Sequence, residues 1–294
     1  MQLEKAKVGY DLRTVKECVD SVRFISNLLQ RALNSLVMCH VDQKSMDIML
    51  KSLTFFNLIK KLNSLPLTPW IFSNCIAKCN FHGQEYRFYL ARGHDSNIFL
   101  NPYFHEYDVC QFVFSHLSSG DIFLDVGSHA GLYPLLVSKK IGENGKIVCF
   151  EPNPINLALL RLNIKLNGLT NIIVIPKAVA DSSSKITLFY SDSETALTSA
   201  FGKGKRIEVE TTTIDHIVSE FGFSSIKIIK VDTEGMDLKV LKGALNTLNK
   251  TQYVITEQNI PEIRQILRDN GFRPRLLWPS GYLLGINTRI EGKA

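Results

Sequence analysis

Ile122-Phe123-Leu124-Asp125-Val126-Gly127-Ser128-His129-Ala130-Gly131 is the stretch whose reading decides the fold. A short apolar run ends in an acid and a glycine-rich turn. Further on, Ile147-Val148-Cys149-Phe150-Glu151-Pro152-Asn153 repeats the plan, with a carboxylate at its end. The pair predicts the first two strands of a nucleoside-binding α/β domain. Glycines in the first turn let the backbone approach a ligand. A carboxylate after the second strand can hold two ribose hydroxyls in a bidentate manner. The spacing is Asp125-x-Gly127-x-x-x-Gly131, not the G-x-G-x-x-G of dinucleotide folds, which disfavours a nicotinamide-dependent dehydrogenase.

Outward from this stretch, strands and helices alternate. That alternation implies a mostly parallel sheet with helices on both faces. Strands are expected at Ile122 to Val126, Lys146 to Phe150, Asn171 to Ile175, Ile226 to Val231 and Tyr253 to Thr256. Two shorter ones are expected at Lys185 to Tyr190 and Arg206 to Thr211, and a terminal antiparallel pair at Arg275 to Trp278 and Tyr282 to Ile286. Asn153-Pro154 supplies an N-cap and a proline at the first helical position. Pro134 is tolerable in the first turn of the helix that follows the glycines.

Upstream the pattern changes. Val15, Val22, Leu29 and Leu36 repeat at seven, which predicts a helix with one apolar seam. Residues 1–66 therefore read as a helical extension that caps the main domain or pairs two copies into a homodimer. Residues 67–104 read as a lead-in built on a β-hairpin, with Ala77 to Phe81 and Gln84 to Leu90 flanking His82-Gly83. Residues 105–294 read as the catalytic domain.

Hydrophobic residues make up 45% of the chain, enough for a real core, and the net charge of +6 is only mildly basic. Six scattered cysteines do not form a disulfide framework. Cys75 and Cys79 with His82 lack the second pair that a zinc site needs. No charged start followed by an apolar stretch opens the sequence, and no apolar run has the length of a membrane span, so a cytoplasmic setting is expected.

Chemistry concentrates in Lys227-Ile228-Ile229-Lys230-Val231-Asp232-Thr233-Glu234-Gly235. An apolar strand here delivers Asp232 and Glu234 to its carboxyl end, the edge where open α/β sheets bind ligands. Carboxylates there stabilise a cationic ligand, and one within reach of a reacting hydroxyl can take its proton. Glu257, after the following strand, is a third acid on the same edge. No metal is assigned, although three hard oxygen donors could instead hold Mg²⁺.

From about Glu106 to Asn287 the chain resembles an FkbM-type methyltransferase. The resemblance rests on Phe123 to Tyr133, on Phe150-Glu151-Pro152-Asn153-Pro154, on Thr213-Ile214-Asp215, and on Ile228 to Gly235 with Leu241-Lys242-Gly243-Ala244. It implies a Rossmann-like class I methyltransferase sheet and S-adenosyl-L-methionine as cofactor. Cofactor contacts are then expected from Asp125, Gly127, Ser128, His129, Gly131, Glu151, Pro152, Ala178 and Asp232, and catalysis from Asp232 and Glu234. The family usually has Asn where this chain has His129. The implied reaction is O-methylation of a small molecule or glycan. The other readings are a nucleic-acid methyltransferase and a non-catalytic partner-binding domain. Against the first, the charge is spread, and Asp232-Thr233-Glu234-Gly235 stands where base-methylating enzymes carry an Asn/Asp-Pro-Pro-aromatic motif.

Overall fold

The structure is a computed structural model, and it describes residues 75–90, 106–190, 200 and 204–290. The helical extension at 1–66, its apolar seam and its pairing role lie outside the described residues, as does most of the 67–104 lead-in. The chain divides into two compact units. The unit of Lys78–Tyr89 and Gly93–Ala294 holds every element that follows except the outer ends of the first two strands.

In chain order the elements are β1 (Cys75–Phe81), β2 (Gln84–Leu90), α1 (Tyr107–His116), β3 (Ile122–Val126), α2 (Leu132–Ile141), β4 (Lys146–Phe150) and α3 (Pro154–Leu166). Then come β5 (Ile172–Ile175), β6 (Ala178–Val179), β7 (Lys185–Tyr190), β8 (Lys205–Thr212), α4 (Ile214–Glu220) and β9 (Ile226–Val231). The chain continues through α5 (Asp237–Lys242), α6 (Leu245–Leu248), β10 (Thr251–Thr256), α7 (Pro261–Asp269), β11 (Phe272–Leu276) and β12 (Leu283–Asn287). Seven strands form the main sheet in the order β11-β12-β10-β9-β3-β4-β5. The five from β10 to β5 are parallel, and β12 and β11 close the sheet as an antiparallel pair. This is the Rossmann-like α/β architecture the alternation predicts. A three-stranded sheet, β6-β8-β7, and the β1-β2 hairpin stand beside it.

Strand periodicity explains both the core and its polar exception. Leu124, Val126, Val148, Phe150, Ile229, Val231 and Val254 share one buried cluster with Val240 and Leu241 of α5 and Ile263 of α7. Alternate residues point to the opposite face. There the register sets Asp125 beside Lys230, both nearly fully buried.

The hairpin turns at His82-Gly83, both with positive φ (48° and 79°), which suits a two-residue hairpin turn. It is tied to the domain by side chains. Tyr86 OH donates to the Leu136 carbonyl at 3.0 Å. Asn163 of α3 accepts from Tyr89 N at 2.7 Å and donates to Ala130 O at 2.9 Å, so one amide links the hairpin to the glycine turn. At the start of α3, Asn153 caps Ile155 N at 2.8 Å ahead of Pro154, as expected.

The terminal pair starts earlier than the sequence pattern suggests. Its first strand runs Phe272–Leu276 instead of Arg275 to Trp278, with Pro274 inside it. β11 is an edge strand, where a missing N–H costs no ladder bond. Trp278 falls in the turn, 81% exposed. The short β6 has no counterpart in the sequence reading, because two residues are too few to show a period.

Candidate functional site

Three neighbouring parallel strands end at one edge of the sheet. Val126 of β3 is in register with Phe150 of β4 and Val231 of β9. The next residues, Gly127, Glu151 and Asp232, therefore begin loops that open side by side. Open α/β sheets bind their ligands at this edge.

Gly127 is required by close approach. A Cβ there would lie 1.8 Å from the Asp232 carbonyl oxygen, on a backbone with φ of +84°. The glycine turn and the acidic loop thus touch through backbone alone, and Asp232 N donates to Val126 O at 3.0 Å. Gly127 N and Ser128 N both donate to Phe150 O, at 3.0 and 3.1 Å. Ser128 is buried, and its hydroxyl donates to Asp125 O at 2.8 Å. Gly131, with φ of 97°, is the N-cap of α2 and brings no capping side chain, which leaves first-turn N–H groups for a ligand.

Glu151 is 4% exposed. Its Oε2 accepts from His129 N at 2.8 Å and its Oε1 from Asn153 N at 2.9 Å. Burial pushes this carboxyl up to about 7, against those backbone bonds. A hydrogen bond from the Asn156 side chain opposes the rise as well. His129 contributes through its backbone N–H, and its imidazole Nε2 is buried. Pro152 lies between Glu151 and the cap Asn153, partly buried. Ala178 lies in β6 beyond the end of β5, paired with Thr211 in the small sheet.

On the other side of Gly127 the acids gather. Asp232, Glu234 and Glu257 each bring an oxygen within 4.8 Å of the others. Burial, then the charges of Asp232 and Asp237, push the half-buried Glu234 up to about 7. Glu257 is raised for the same kind of reason, burial first and Asp232 and Glu234 next. Asp237 is occupied differently. It accepts from Thr233 Oγ1 at 2.6 Å and Gln258 N at 3.0 Å, which ties the acidic loop to the loop after β10.

Behind the acids lies a buried polar network. Lys230 Nζ donates to Asp232 Oδ2 at 2.8 Å and stands 4.4 Å from the Tyr133 ring centroid. Burial opposes its charge, but the neighbouring acids, Asp232 first among them, outweigh that and hold the ammonium above the ordinary lysine range. Asp125 is pushed up to about 6 by burial, with Lys230 opposing, and neither of its carboxylate oxygens accepts a hydrogen bond. Tyr282 OH lies 3.0 Å from Asp232 Oδ2 and 2.8 Å from Glu106 Oε1, and Tyr133 OH bonds Glu106 Oε2.

Sequence reading brought Gly127, Glu151, Asp232, Glu234 and Glu257 to this edge. It missed Glu106, Tyr133, Lys230 and Tyr282 as a set, because only folding joins them. One signal is conformational. Among the described residues four non-glycines have positive φ. His82 is in the hairpin turn, while Glu106, His129 and Glu234 (48°, 49° and 51°) all belong to this edge, where strained backbone tends to collect.

The sequence profile described as the methyltransferase FkbM domain matches residues 125–274, from Asp125 of the first strand to Pro274 of the terminal pair. The chain belongs to the FkbM methyltransferase domain family. The cofactor of this FkbM domain is S-adenosyl-L-methionine. Curated relatives include the hexuronic acid methyltransferase AglP of Haloferax volcanii, 30% identical over 154 residues, 52% of this chain and 62% of AglP. Another is the 2-O-methyltransferase NoeI of Sinorhizobium fredii, 26% identical over 160 residues, 48% of this chain and 65% of NoeI. The methyltransferase sdnD of Sordaria araneosa is 26% identical over 230 residues, 64% of this chain and 86% of sdnD. The match to AglP and to NoeI thus spans less than two thirds of either relative. Solved structures that resemble it include an rRNA methylase from Streptococcus thermophilus, at 12% identity and a TM-score of 0.38, covering 61% of this chain and 92% of that one. Fibrillarin of Aeropyrum pernix, solved with bound S-adenosyl-L-methionine, gives 13% identity and a TM-score of 0.39, over 71% and 80%. Likeness at that level carries no argument about the reaction. Among the described residues no helix is long and apolar enough to cross a membrane.

Proposed function

We propose that this protein is an O-methyltransferase that acts on a hydroxyl of a small molecule or glycan. The observation that carries the reading is the contact of Gly127 with the Asp232 carbonyl, which joins a nucleoside-type turn to an acidic cluster at one sheet edge. The domain assignment goes with it: residues 105–294 form the catalytic domain, 67–104 lead into it and 1–66 extend it. The names of AglP and NoeI, a hexuronic acid methyltransferase and a 2-O-methyltransferase, support a sugar hydroxyl as acceptor.

The residues present fit the cofactor. A turn that excludes any Cβ at Gly127 leaves backbone as the surface nearest the ligand, and the open N-terminus of α2 suits a carboxylate. Gly127, Ser128, His129 and Gly131 hold that end. Glu151 takes the ribose hydroxyls, and Pro152 and Ala178 border the nucleoside. Asp125 and Asp232 set negative charge near the sulfonium. When bound, S-adenosyl-L-methionine supplies a methyl carbon made electrophilic by that sulfonium.

The chain's own part is to place the acceptor and remove its proton. Glu234 is the general base. Its pKa, raised by burial to about 7, sits where a base is both available and strong near neutral pH. Asp232, engaged by Lys230 and Tyr282, is held in one orientation and serves as fixed charge. Rate then comes largely from positioning. The test is transfer of labelled methyl from S-adenosyl-L-methionine to a panel of uronic acids, glycosides and extracted metabolites, beside RNA and DNA. Label in sugars or other hydroxyl compounds is expected. Label only in nucleic acid would overturn the reading.

A further inference from the structure

Donor counting in the buried network gives a result that the acids alone do not. Three oxygen-oxygen contacts link four groups: Tyr133 to Glu106, Glu106 to Tyr282 at 2.8 Å, and Tyr282 to Asp232 at 3.0 Å. Every such bond needs a proton, and each phenol has one. Two phenols cannot supply three bonds. The hydroxyl of Tyr282 lies between two carboxyl oxygens and can donate to only one. The third proton must therefore sit on a carboxyl. Asp232 is the poorer place for it, because the same Oδ2 already accepts from the Lys230 ammonium at 2.8 Å. A proton there would face an N–H donor. Glu106 receives Tyr133 on Oε2 and meets Tyr282 with Oε1, so a proton on Oε1 completes these three bonds.

We propose that Glu106 is a positioning residue held as a neutral carboxylic acid. It donates through Oε1 to the Tyr282 oxygen, so that the Tyr282 proton is aimed at Asp232. The chain of donation then runs one way: Tyr133 to Glu106, Glu106 to Tyr282, Tyr282 to Asp232, with Lys230 meeting Asp232 from the other side. Burial, the largest cause for each, pushes both phenols well above their ordinary range, so they remain donors. A neutral Glu106 spares this partly buried cluster a further negative charge close to Asp232. Asp232, which the proposed function places beside the sulfonium, is thereby fixed by two donors on one oxygen. Its placement beside the cofactor rests on that reading; the protonation state of Glu106 does not.

The experiment has a spectroscopic arm and a binding arm. The difference infrared spectrum of wild type minus Glu106→Gln, recorded at neutral pH with and without ¹³C-glutamate, should show the carbonyl band of a protonated carboxyl that shifts with the label. A carboxylate pair of bands in its place would overturn the assignment. Glutamine reproduces a neutral acid, with one donor and one acceptor, so Glu106→Gln should recover most of the S-adenosyl-L-methionine affinity that Glu106→Ala loses. Tyr282→Phe should weaken that affinity about tenfold or more, the scale for a hydrogen bond to a charged group. If Glu106→Gln binds as poorly as Glu106→Ala, or Tyr282→Phe binds as wild type does, the positioning role falls. Wild type that fails to bind S-adenosyl-L-methionine at all would count against the proposed function, and the infrared result would still stand or fall by itself. Should Tyr282→Phe not fold, the comparison of the two Glu106 variants decides the matter.

Discussion

The two sides of Gly127 are built in different ways. On the β3–β4 side, the groups facing the ligand edge come from short, contiguous loops. Gly127, Ser128 and His129 follow β3 directly, Glu151 follows β4 directly, and backbone bonds do most of the holding. On the β9 side, Asp232 is held by side chains drawn from across the chain: Lys230 on β9 and Tyr282 at the mouth of β12, backed by Glu106 before α1 and Tyr133 on α2. A site half made from local turns and half from distant side chains separates its tasks. In the proposed function the local half takes the cofactor and the distant half meets the acceptor.

The largest expected effect breaks the junction between the halves. Gly127→Ala puts a Cβ 1.8 Å from the Asp232 carbonyl at a φ that disfavours a side chain. Backbone must move, so we expect loss of S-adenosyl-L-methionine binding and at least about 3 kcal/mol of destabilisation, in the range of severe single substitutions. Calorimetric binding and chemical denaturation check both. Near-normal values would mean that the two loops do not meet as described.

Next is the base, on the distant side. Glu234→Gln should cut turnover by roughly 10²–10⁴, the usual share of a general base, with cofactor affinity little changed. Wild-type turnover should rise with pH through about 7 as Glu234 loses its proton, and the variant should lack that rise. The opposite split, intact turnover at saturation and poor affinity, would move Glu234 to the cofactor side.

A smaller effect belongs to the local side. Glu151→Ala should weaken S-adenosyl-L-methionine by about 1.5–3 kcal/mol, the range for hydrogen bonds to a charged group. Titration calorimetry with unchanged affinity would remove Glu151 from the ribose site.

The smallest is a pH effect on the cofactor-free protein. Asp125 and Glu151 have folded values raised by burial, to about 6 and about 7. Groups raised on folding stabilise below their unfolded values, near 4, and lose that contribution as pH rises through the folded ones. The melting temperature should therefore fall by several degrees between about pH 5 and pH 8. Asp125→Asn and Glu151→Gln should each flatten the slope. A slope unaltered in both variants would show that neither group is the source.

Much of this was legible before folding, because it is local. The short apolar runs marked β3, β4 and β9 to the residue. Asn153-Pro154 announced the start of α3, and the Gly127 spacing separated this turn from the dinucleotide type. Asp232, Glu234 and Glu257 could be placed at one edge because each follows a parallel strand, and parallel strands end together. The limits were equally physical. Pro274 concealed the start of β11, since its place on an edge strand depends on which strands pair.

What the sequence by itself determined is therefore the order of the main elements, the glycine turn and the carboxylates that end the strands. These need only neighbours in the chain. The tertiary structure alone decided which groups those carboxylates face. Asp125 meets Lys230 through the register of β3 with β9, and Glu106 meets Tyr282 across 176 positions of sequence. Neither Glu106 nor Tyr282 carries a local sign of its task. Their chemistry comes from burial beside a lysine, two acids and a second phenol, and burial is a property of the packed chain.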